Sequence, residues 1–125
     1  MSQSAVHVLV IEDDSDARFL IQHVIKKHYP FATVSEMSDG VAGLREFVKN
    51  GADVLIVDQR IPGLNGLELV REVRARDAGV PIILISNTSP EELDLFGSGI
   101  NHFLDKANLM QNLPLFLSRC LNLPA

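Results

Sequence analysis

The fold of this chain is decided by one stretch of sequence, Val54-Leu55-Ile56-Val57-Asp58-Gln59-Arg60-Ile61-Pro62-Gly63-Leu64-Asn65-Gly66. Its first four residues are apolar and favour β-structure, and they run without polar alternation into the carboxylate of Asp58. A continuous apolar run predicts a strand buried on both faces, as in a parallel sheet covered by helices. The strand therefore carries Asp58 to the C-terminal edge of the sheet, where ligands bind in open α/β folds.

Segments typical of strands and helices alternate along the whole chain. Predicted strands cover residues 6–11, 32–37, 54–57, 81–86 and 100–104. Apolar residues at helical spacing follow the first strand at residues 17–25, and further helices are predicted to begin near residues 38–40, 65, 89–90 and 112–113. Five such units predict a single domain over residues 1–125, a flavodoxin-like (βα)5 three-layer sandwich whose parallel sheet has the order 2-1-3-4-5.

Composition argues against several classes of protein. The net charge is −5 without a block of Lys or Arg, which argues against a nucleic-acid partner. The single cysteine, Cys120, excludes an internal disulfide and suits a reducing compartment. Residues 1–5 lack the features of a signal peptide, and the longest apolar runs, 8–11 and 80–85, are too short to span a membrane. We therefore expect a cytoplasmic protein that contacts neither nucleic acid nor membrane.

Three carboxylates are predicted to meet at the C-terminal edge of the sheet. Glu12 and Asp13 follow the first strand, which the predicted order places beside the strand that ends in Asp58. Carboxylates in one cleft repel and raise each other's proton affinity unless a cation intervenes. Hard oxygen ligands in a partly hydrated cleft suit Mg²⁺. The first β-α turn has no Gly-rich phosphate loop, so dinucleotide or P-loop binding there is disfavoured.

Two further polar residues end strands at the same edge. Ser86 ends the fourth predicted strand, and Lys106 follows the fifth. A hydroxyl and an ammonium that face a metal-bound carboxylate can hold a phosphoryl oxygen, since phosphoryl transfer depends mainly on positioning and charge neutralisation. An aspartate can itself carry a phosphoryl group as an acyl phosphate. We therefore predict a site of reversible aspartyl phosphorylation formed by Glu12, Asp13, Asp58, Ser86 and Lys106.

The chain resembles the receiver domain of two-component response regulators over nearly its whole length. The matching motifs are the acidic pair in Val10-Ile11-Glu12-Asp13 and the loop formed by Asp58 and Ile61-Pro62-Gly63-Leu64-Asn65-Gly66. The resemblance implies that Asp58 is the phospho-acceptor, that Ser86 and Phe103 occupy the family's switch positions, and that Lys106 is its invariant lysine. It further implies Mg²⁺ bound by Asp13, Asp58 and the backbone carbonyl of Arg60, with Glu12 in support. The implied phosphoryl donor is a sensor histidine kinase or a histidine phosphotransfer protein.

Several features depart from the family pattern. Ala107 stands where many receivers have a proline after the lysine, and Asn87 stands where a small residue is common. The segment between Ser86 and Lys106 is short for the family, so the fourth helix is expected to be short or irregular. Arg60, which is bulky and cationic, lies two residues after Asp58, and we hypothesise that it alters the access of attacking water to the phosphoryl group.

These features predict a stand-alone signalling domain with no output domain rather than an enzyme, one that performs at most self-catalysed phosphoryl transfer and autodephosphorylation. Its output is expected to reach an unknown downstream protein through the face formed by the fourth helix, fifth strand and fifth helix, or to pass the phosphoryl group on in a relay. A homodimer through the same face is one option for self-association.

Three other functions compete with this one. A degenerate receiver would bind partners without being phosphorylated, and Asn87 and Ala107 favour it slightly. A phosphatase resembling the haloacid dehalogenases would need a second Asp two residues after the first, where this chain has Arg60. A flavin or nucleotide carrier on the same fold is disfavoured by the acidic first loop.

Overall fold

The computed structural model describes residues 6–122, which form five strands and four α-helices. In chain order they are β1 (His7–Ile11), α1 (Ser15–His28), β2 (Thr33–Met37), α2 (Gly40–Asn50), β3 (Val54–Asp58), α3 (Gly66–Arg74), β4 (Ile82–Ser86), β5 (His102–Asp105) and α4 (Leu109–Leu121). Residues 1–5 and 123–125, on which the expectations about a signal peptide and an output domain depend, lie outside the described residues.

The five strands form one parallel sheet in the order β2-β1-β3-β4-β5, which confirms the predicted topology. The register aligns the strand ends: Ile11 pairs with Val57, so Glu12 and Asp58 leave the sheet side by side. Asp58 pairs with Ile85, so Ser86 lies one residue beyond the level of Asp58. Ser86 pairs with Asp105, so Lys106 lies one residue beyond the level of Ser86. The order and register together bring the predicted site residues to one edge of the sheet.

Apolar residues of the sheet point alternately into two core clusters, one on each face. Val10 and Ile56 belong to the cluster covered by α1 and α4, whereas Leu9 and Leu55 belong to the cluster covered by α2 and α3. All five residues of β3 and all five of β4 are buried. This is the two-sided burial that their continuous apolar runs predicted. Among the described residues, no helix combines the length and apolar character needed to cross a membrane.

The fourth predicted helix is a single 3₁₀ turn, Pro90–Glu92. The hydroxyl of Ser89 donates to the Glu92 carboxylate (3.2 Å) and caps no backbone N–H. Gly97 and Gly99, with φ of 69° and 96°, then hold the chain in conformations that a helix cannot use. A helix this short cannot recover the cost of nucleation. The expectation of a short or irregular fourth helix is therefore confirmed, since only one 3₁₀ turn forms there.

The last helix begins earlier than predicted, at Leu109 rather than at residue 112 or 113. A 3₁₀ turn, Lys106–Asn108, connects β5 directly to α4, and the Asp105 carboxylate caps it by accepting from the Ala107 N–H (2.9 Å). The prediction was wrong because proline favours the first turn of a helix, whereas Pro114 lies inside this one. The Lys106–Ala107 peptide bond is trans, as are the other peptide bonds of the described residues.

Candidate functional site

The candidate site lies at the C-terminal edge of the sheet, where β1, β3, β4 and β5 end. Glu12 is fully buried, Asp58 is 4% exposed and Asp13 is exposed. One carboxylate oxygen from each of the three lies within 4.8 Å of the other two. The structure therefore brings together the three acids whose convergence was predicted from the strand order.

Lys106 bridges the two buried carboxylates. Its Nζ atom lies 2.8 Å from Oε1 of Glu12 and 3.1 Å from Oδ2 of Asp58. The Asp58 contact is a hydrogen bond, with Nζ donating. The lysine side chain is only 19% exposed, so the two carboxylates face its ammonium group rather than bulk water. Lys106 is therefore the counter-charge of the site.

Burial and the ion pairs oppose each other in setting the protonation of this cluster. Burial raises the pKa of Glu12 to about 7, although Lys106 and the Asp14 N–H act to lower it. Burial alone would lower the pKa of Lys106, but its bonds to Glu12 and Asp58 outweigh that effect and raise it. Lys106 is therefore charged at neutral pH.

The residues of this cluster fit a divalent cation. Three carboxylates against one ammonium give a formal charge of −2 when all four groups are ionised. Oε2 of Glu12 accepts from the Asp14 N–H (3.1 Å), but Oε1 is buried and, among the described residues, has no hydrogen-bond partner besides its ion pair with Lys106. A buried carboxylate oxygen without a full set of donors is suited to a hard cation such as Mg²⁺. Glu12, Asp13 and Asp58 could hold it.

The loop after Asp58 is fixed to the start of α3. Asn65 caps the helix in a reciprocal capping box: its side chain accepts from the Glu68 N–H (2.9 Å), and the Glu68 carboxylate accepts from the Asn65 N–H (2.8 Å). At Gly66 a Cβ atom would lie only 2.8 Å from the Asp58 carbonyl oxygen, so glycine permits the helix to begin this close to the strand end.

Gln59 contributes to the same loop, and its role was not predicted. Its side-chain oxygen accepts from the Leu67 N–H (2.9 Å), and its carbonyl accepts from the Gly66 N–H (3.0 Å). The position could have been recognised, because the free N–H groups at a helix start require acceptors and Gln59 lies just before one.

Arg18 was also missed. From the first turns of α1 its Nη1 donates to the carbonyl of Glu12 (2.7 Å), while its Nε lies 3.5 Å from Oε1 of Glu36 at the end of β2. The arginine therefore ties the acidic turn to the neighbouring strand. Sequence spacing carries no signal for it, since the contact depends on how α1 folds back over the sheet.

The remaining predicted residues lie around this cluster. Ser86 is 1% exposed, and its hydroxyl accepts from the Thr88 N–H (2.9 Å). Phe103 is partly buried and packs against the core cluster under α2 and α3. Arg60 and Asn87 are exposed. The roles of Ser86 and Phe103 as switch residues, and of the Arg60 carbonyl as a metal ligand, stay predictions.

Comparison with known proteins identifies one family. The model of the response regulator receiver domain matches residues 8–117. The sensory transduction protein RegX3 of Mycobacterium tuberculosis is 33% identical over 84 residues, which cover 67% of this chain and 36% of that protein. The chain spans less than half of the length of the curated relatives that it matches.

Solved structures share the fold. A response regulator receiver domain protein from Clostridium thermocellum superimposes with a TM-score of 0.83 at 25% identity, covering 94% of each chain. The receiver domain of the sensor histidine kinase PA1611 from Pseudomonas aeruginosa, whose active-site cleft coordinates a magnesium ion, has a TM-score of 0.83 at 24% identity, covering 95% of this chain and 99% of the other.

Proposed function

Since this chain belongs to the family of response regulator receiver domains, matched over residues 8–117, we propose that it accepts a phosphoryl group on Asp58 in two-component signalling. The observation that carries the proposal is the contact of Lys106 Nζ with Asp58 Oδ2 (3.1 Å) inside a cluster of three carboxylates. An exposed, solvated aspartate would have no such fixed counter-charge. Asp58 is held at the end of β3 with one cationic group, the Lys106 ammonium, already beside it.

In the proposed reaction, a carboxylate oxygen of Asp58 attacks the phosphorus of a phosphohistidine donor. The new P–O bond forms as the P–N bond breaks, and the electron pair of that bond leaves with the imidazole nitrogen. Lys106 neutralises charge on the aspartate and the incoming phosphoryl oxygens, and Glu12 holds the ammonium through its own ion pair. The carboxylate group, the lysine and the rigid loop after Asp58 thus supply position and charge, which phosphoryl transfer chiefly needs.

We propose Mg²⁺ as the cofactor, held by Asp13, Asp58 and the carbonyl of Arg60, with Glu12 in support. When bound, it would supply further charge neutralisation for the phosphoryl oxygens. The buried Oε1 atom of Glu12, whose one partner among the described residues is Lys106 Nζ, and the 4.8 Å grouping of the three acids support this assignment. The magnesium ion in the cleft of the PA1611 receiver domain supports the choice of metal.

The proposed output is a change in the surface around β5, α4 and the segment 87–101. In the structure the Ser86 hydroxyl accepts from the Thr88 N–H, so a rotation of Ser86 towards a phosphoryl group on Asp58 would release that bond at the start of the segment. Lys106 and Phe103 would shift on the neighbouring strand, since a phosphoryl group adds nearly two negative charges at its edge. A downstream protein would bind the altered surface, or the phosphoryl group would pass on to another histidine.

The test is to incubate the protein with Mg²⁺ and a small acyl-phosphate donor and to weigh the intact chain. We expect one phosphate adduct on the parent and on Asp94→Asn, a control at an exposed aspartate, and none on Asp58→Asn. An adduct that persists in Asp58→Asn would refute the assignment of Asp58. A parent without an adduct would favour the phosphorylation-independent binding module instead.

A further inference from the structure

Residues 91–96, here called the acidic segment, present an aromatic ring and carboxylates to solvent. Along them the side chains alternate: Leu93 and Leu95 pack against the core cluster under α2 and α3, whereas Asp94 and Phe96 are exposed. Phe96 is 98% exposed, the most exposed large apolar side chain among the described residues. Because the two leucines anchor the backbone, Asp94 and Phe96 are held outward together.

The acids of this segment form no ion pairs within the described residues, although Asp94 and Phe96 line a surface pocket with Arg71 and Arg74 of α3. Glu91, Glu92 and Asp94 are all exposed, and within residues 6–122 none of them lies within ion-pair distance of a cation. Glu92 accepts only from the Ser89 hydroxyl (3.2 Å). An exposed Phe preceded by three unpaired carboxylates is a patch with both an apolar anchor and a net charge.

A surface of opposite character lies on α2 and is here called the α2 groove. It has a volume of about 430 Å³, and it is lined by Val41, Leu44, Arg45, Val48, Lys49 and Arg76. Val41 and Val48 are 46% and 58% exposed, which is unusual for two valines on one helix face. The groove therefore has an apolar floor that its own molecule leaves uncovered.

The rim of the α2 groove is cationic, and no acid lines it. Arg45 and Lys49 lie one helical turn apart on α2, and in the described part of the chain neither forms an ion pair. Arg76 pairs with Glu72 of its own helix (3.1 Å). In a chain with a net charge of −5, this is a local concentration of positive charge around an apolar floor.

We propose that the α2 groove binds the acidic segment of a second copy of this chain, with Phe96 between Val41 and Val48 and the segment's carboxylates facing Arg45 and Lys49. The aromatic ring would supply the buried anchor, and the charges would orient the approach. Because the two surfaces differ, every copy in such a complex keeps one free segment and one free groove, so association continues head to tail. The interface is small, so the association is weak and depends on concentration.

The first measurement is sedimentation velocity of the full chain between about 10 µM and 1 mM, the range in which small interfaces associate. We expect the weight-average sedimentation coefficient to rise with concentration without stopping at a dimer. Two variants should each abolish the rise: Phe96→Ser, and the double change Arg45→Glu with Lys49→Glu. All three side chains are exposed, so the variants keep the fold. Phe19→Ser, at another exposed phenylalanine (74%), is the matched control and should behave as the parent.

A mixing experiment then isolates the head-to-tail geometry. The Phe96→Ser chain retains an intact groove, and the Arg45→Glu/Lys49→Glu chain retains an intact acidic segment. Mixed in equal amounts, they should form a one-to-one dimer that grows no further. A parent that stays monomeric to 1 mM would overturn the proposal. So would a mixture that stays monomeric, Phe96→Ser association equal to the parent's, or a Phe19→Ser effect as large as that of Phe96→Ser.

Discussion

Replacing Lys106 with methionine should destabilise the protein, because it leaves two buried carboxylates facing each other without a counter-charge. Methionine keeps most of the apolar stem, so the change removes mainly the ammonium group. Removing one partner of a buried ion pair costs about 3–5 kcal/mol. The lysine is 19% exposed, and water can therefore reach part of the site and relieve part of the penalty. We expect a loss of about 3 kcal/mol in the free energy of unfolding.

Urea denaturation at about pH 9, where Glu12 is ionised, and in the presence of a chelator measures this loss. With a typical slope of about 2 kcal/mol per M, the Lys106→Met midpoint should fall by roughly 1.5 M. Lys27→Met, an identical change at an exposed lysine of α1, should lose no more than about 0.5 kcal/mol. Equal midpoints for the parent and Lys106→Met would show that the ammonium does not hold the carboxylates together, and the reasoning about the site would fail.

Added Mg²⁺ should stabilise Lys106→Met more than the parent. At about pH 9, above the pKa of Glu12, loss of the ammonium changes the formal charge of the cluster from −2 to −3. The more negative cluster binds a cation more strongly, and a ligand that binds only the folded state raises stability with its affinity. Measuring both midpoints with and without Mg²⁺ gives the two increments. An equal increment in both proteins would mean that the cation binds away from Lys106.

Three further predictions concern single residues around the site and the core. Arg60→Ala should shorten the lifetime of the aspartyl phosphate severalfold by opening water access, and an unchanged dephosphorylation rate would end that hypothesis. Asn65→Ala removes the side-chain acceptor of the Glu68 N–H in the α3 capping box and should cost about 1 kcal/mol in urea denaturation, whereas Asn50→Ala, at the exposed end of α2, should cost much less. Burial raises the pKa of Cys120 to about 11. At pH 8 its alkylation should therefore be roughly 100-fold slower than in the urea-unfolded chain, and the rate should rise about tenfold per pH unit up to pH 10. Equal rates for the folded and unfolded chains at pH 8 would contradict this prediction.

The sheet and the acidic cluster could be predicted because each depends on a pattern local in sequence. The continuous apolar runs of β3 and β4 predict strands buried on both faces, and all ten of their residues are buried. Once the order is 2-1-3-4-5, the ends of β1 and β3 are neighbours, and Glu12 must emerge beside Asp58. The contact between Lys106 and Asp58 could be predicted in the same way, because Lys106 follows β5, which lies two strands from β3 and ends at the same edge of the sheet.

The features that escaped prediction depend on tertiary contacts or on competition between weak local signals. Arg18 reaches the Glu12 carbonyl only because α1 packs back over the sheet. The start of α4 was misplaced because Pro114 commonly marks a first turn, yet burial of Leu109 and Leu113 on one helix face extends the helix before it. Around Pro90, residues that favour a helix start are followed too soon by glycines, and the local signal yields one turn.

The missing fourth helix changes how a signal at Ser86 would travel. A helix in this position would move as a rigid unit stabilised by its own hydrogen bonds, whereas here the segment after Ser86 has one 3₁₀ turn and a few anchors. The anchors are Leu93 and Leu95 in the core, and Arg74, which donates to the Gly99 carbonyl (2.9 Å) and to Asn101 (3.0 Å). When the Ser86 hydroxyl no longer accepts from the Thr88 N–H, the residues between Thr88 and Leu93, the first anchor, are held by few other hydrogen bonds. The largest change on phosphorylation should accordingly fall on residues 87–92, ahead of the leucines, while Phe96 and the surface around it keep their place.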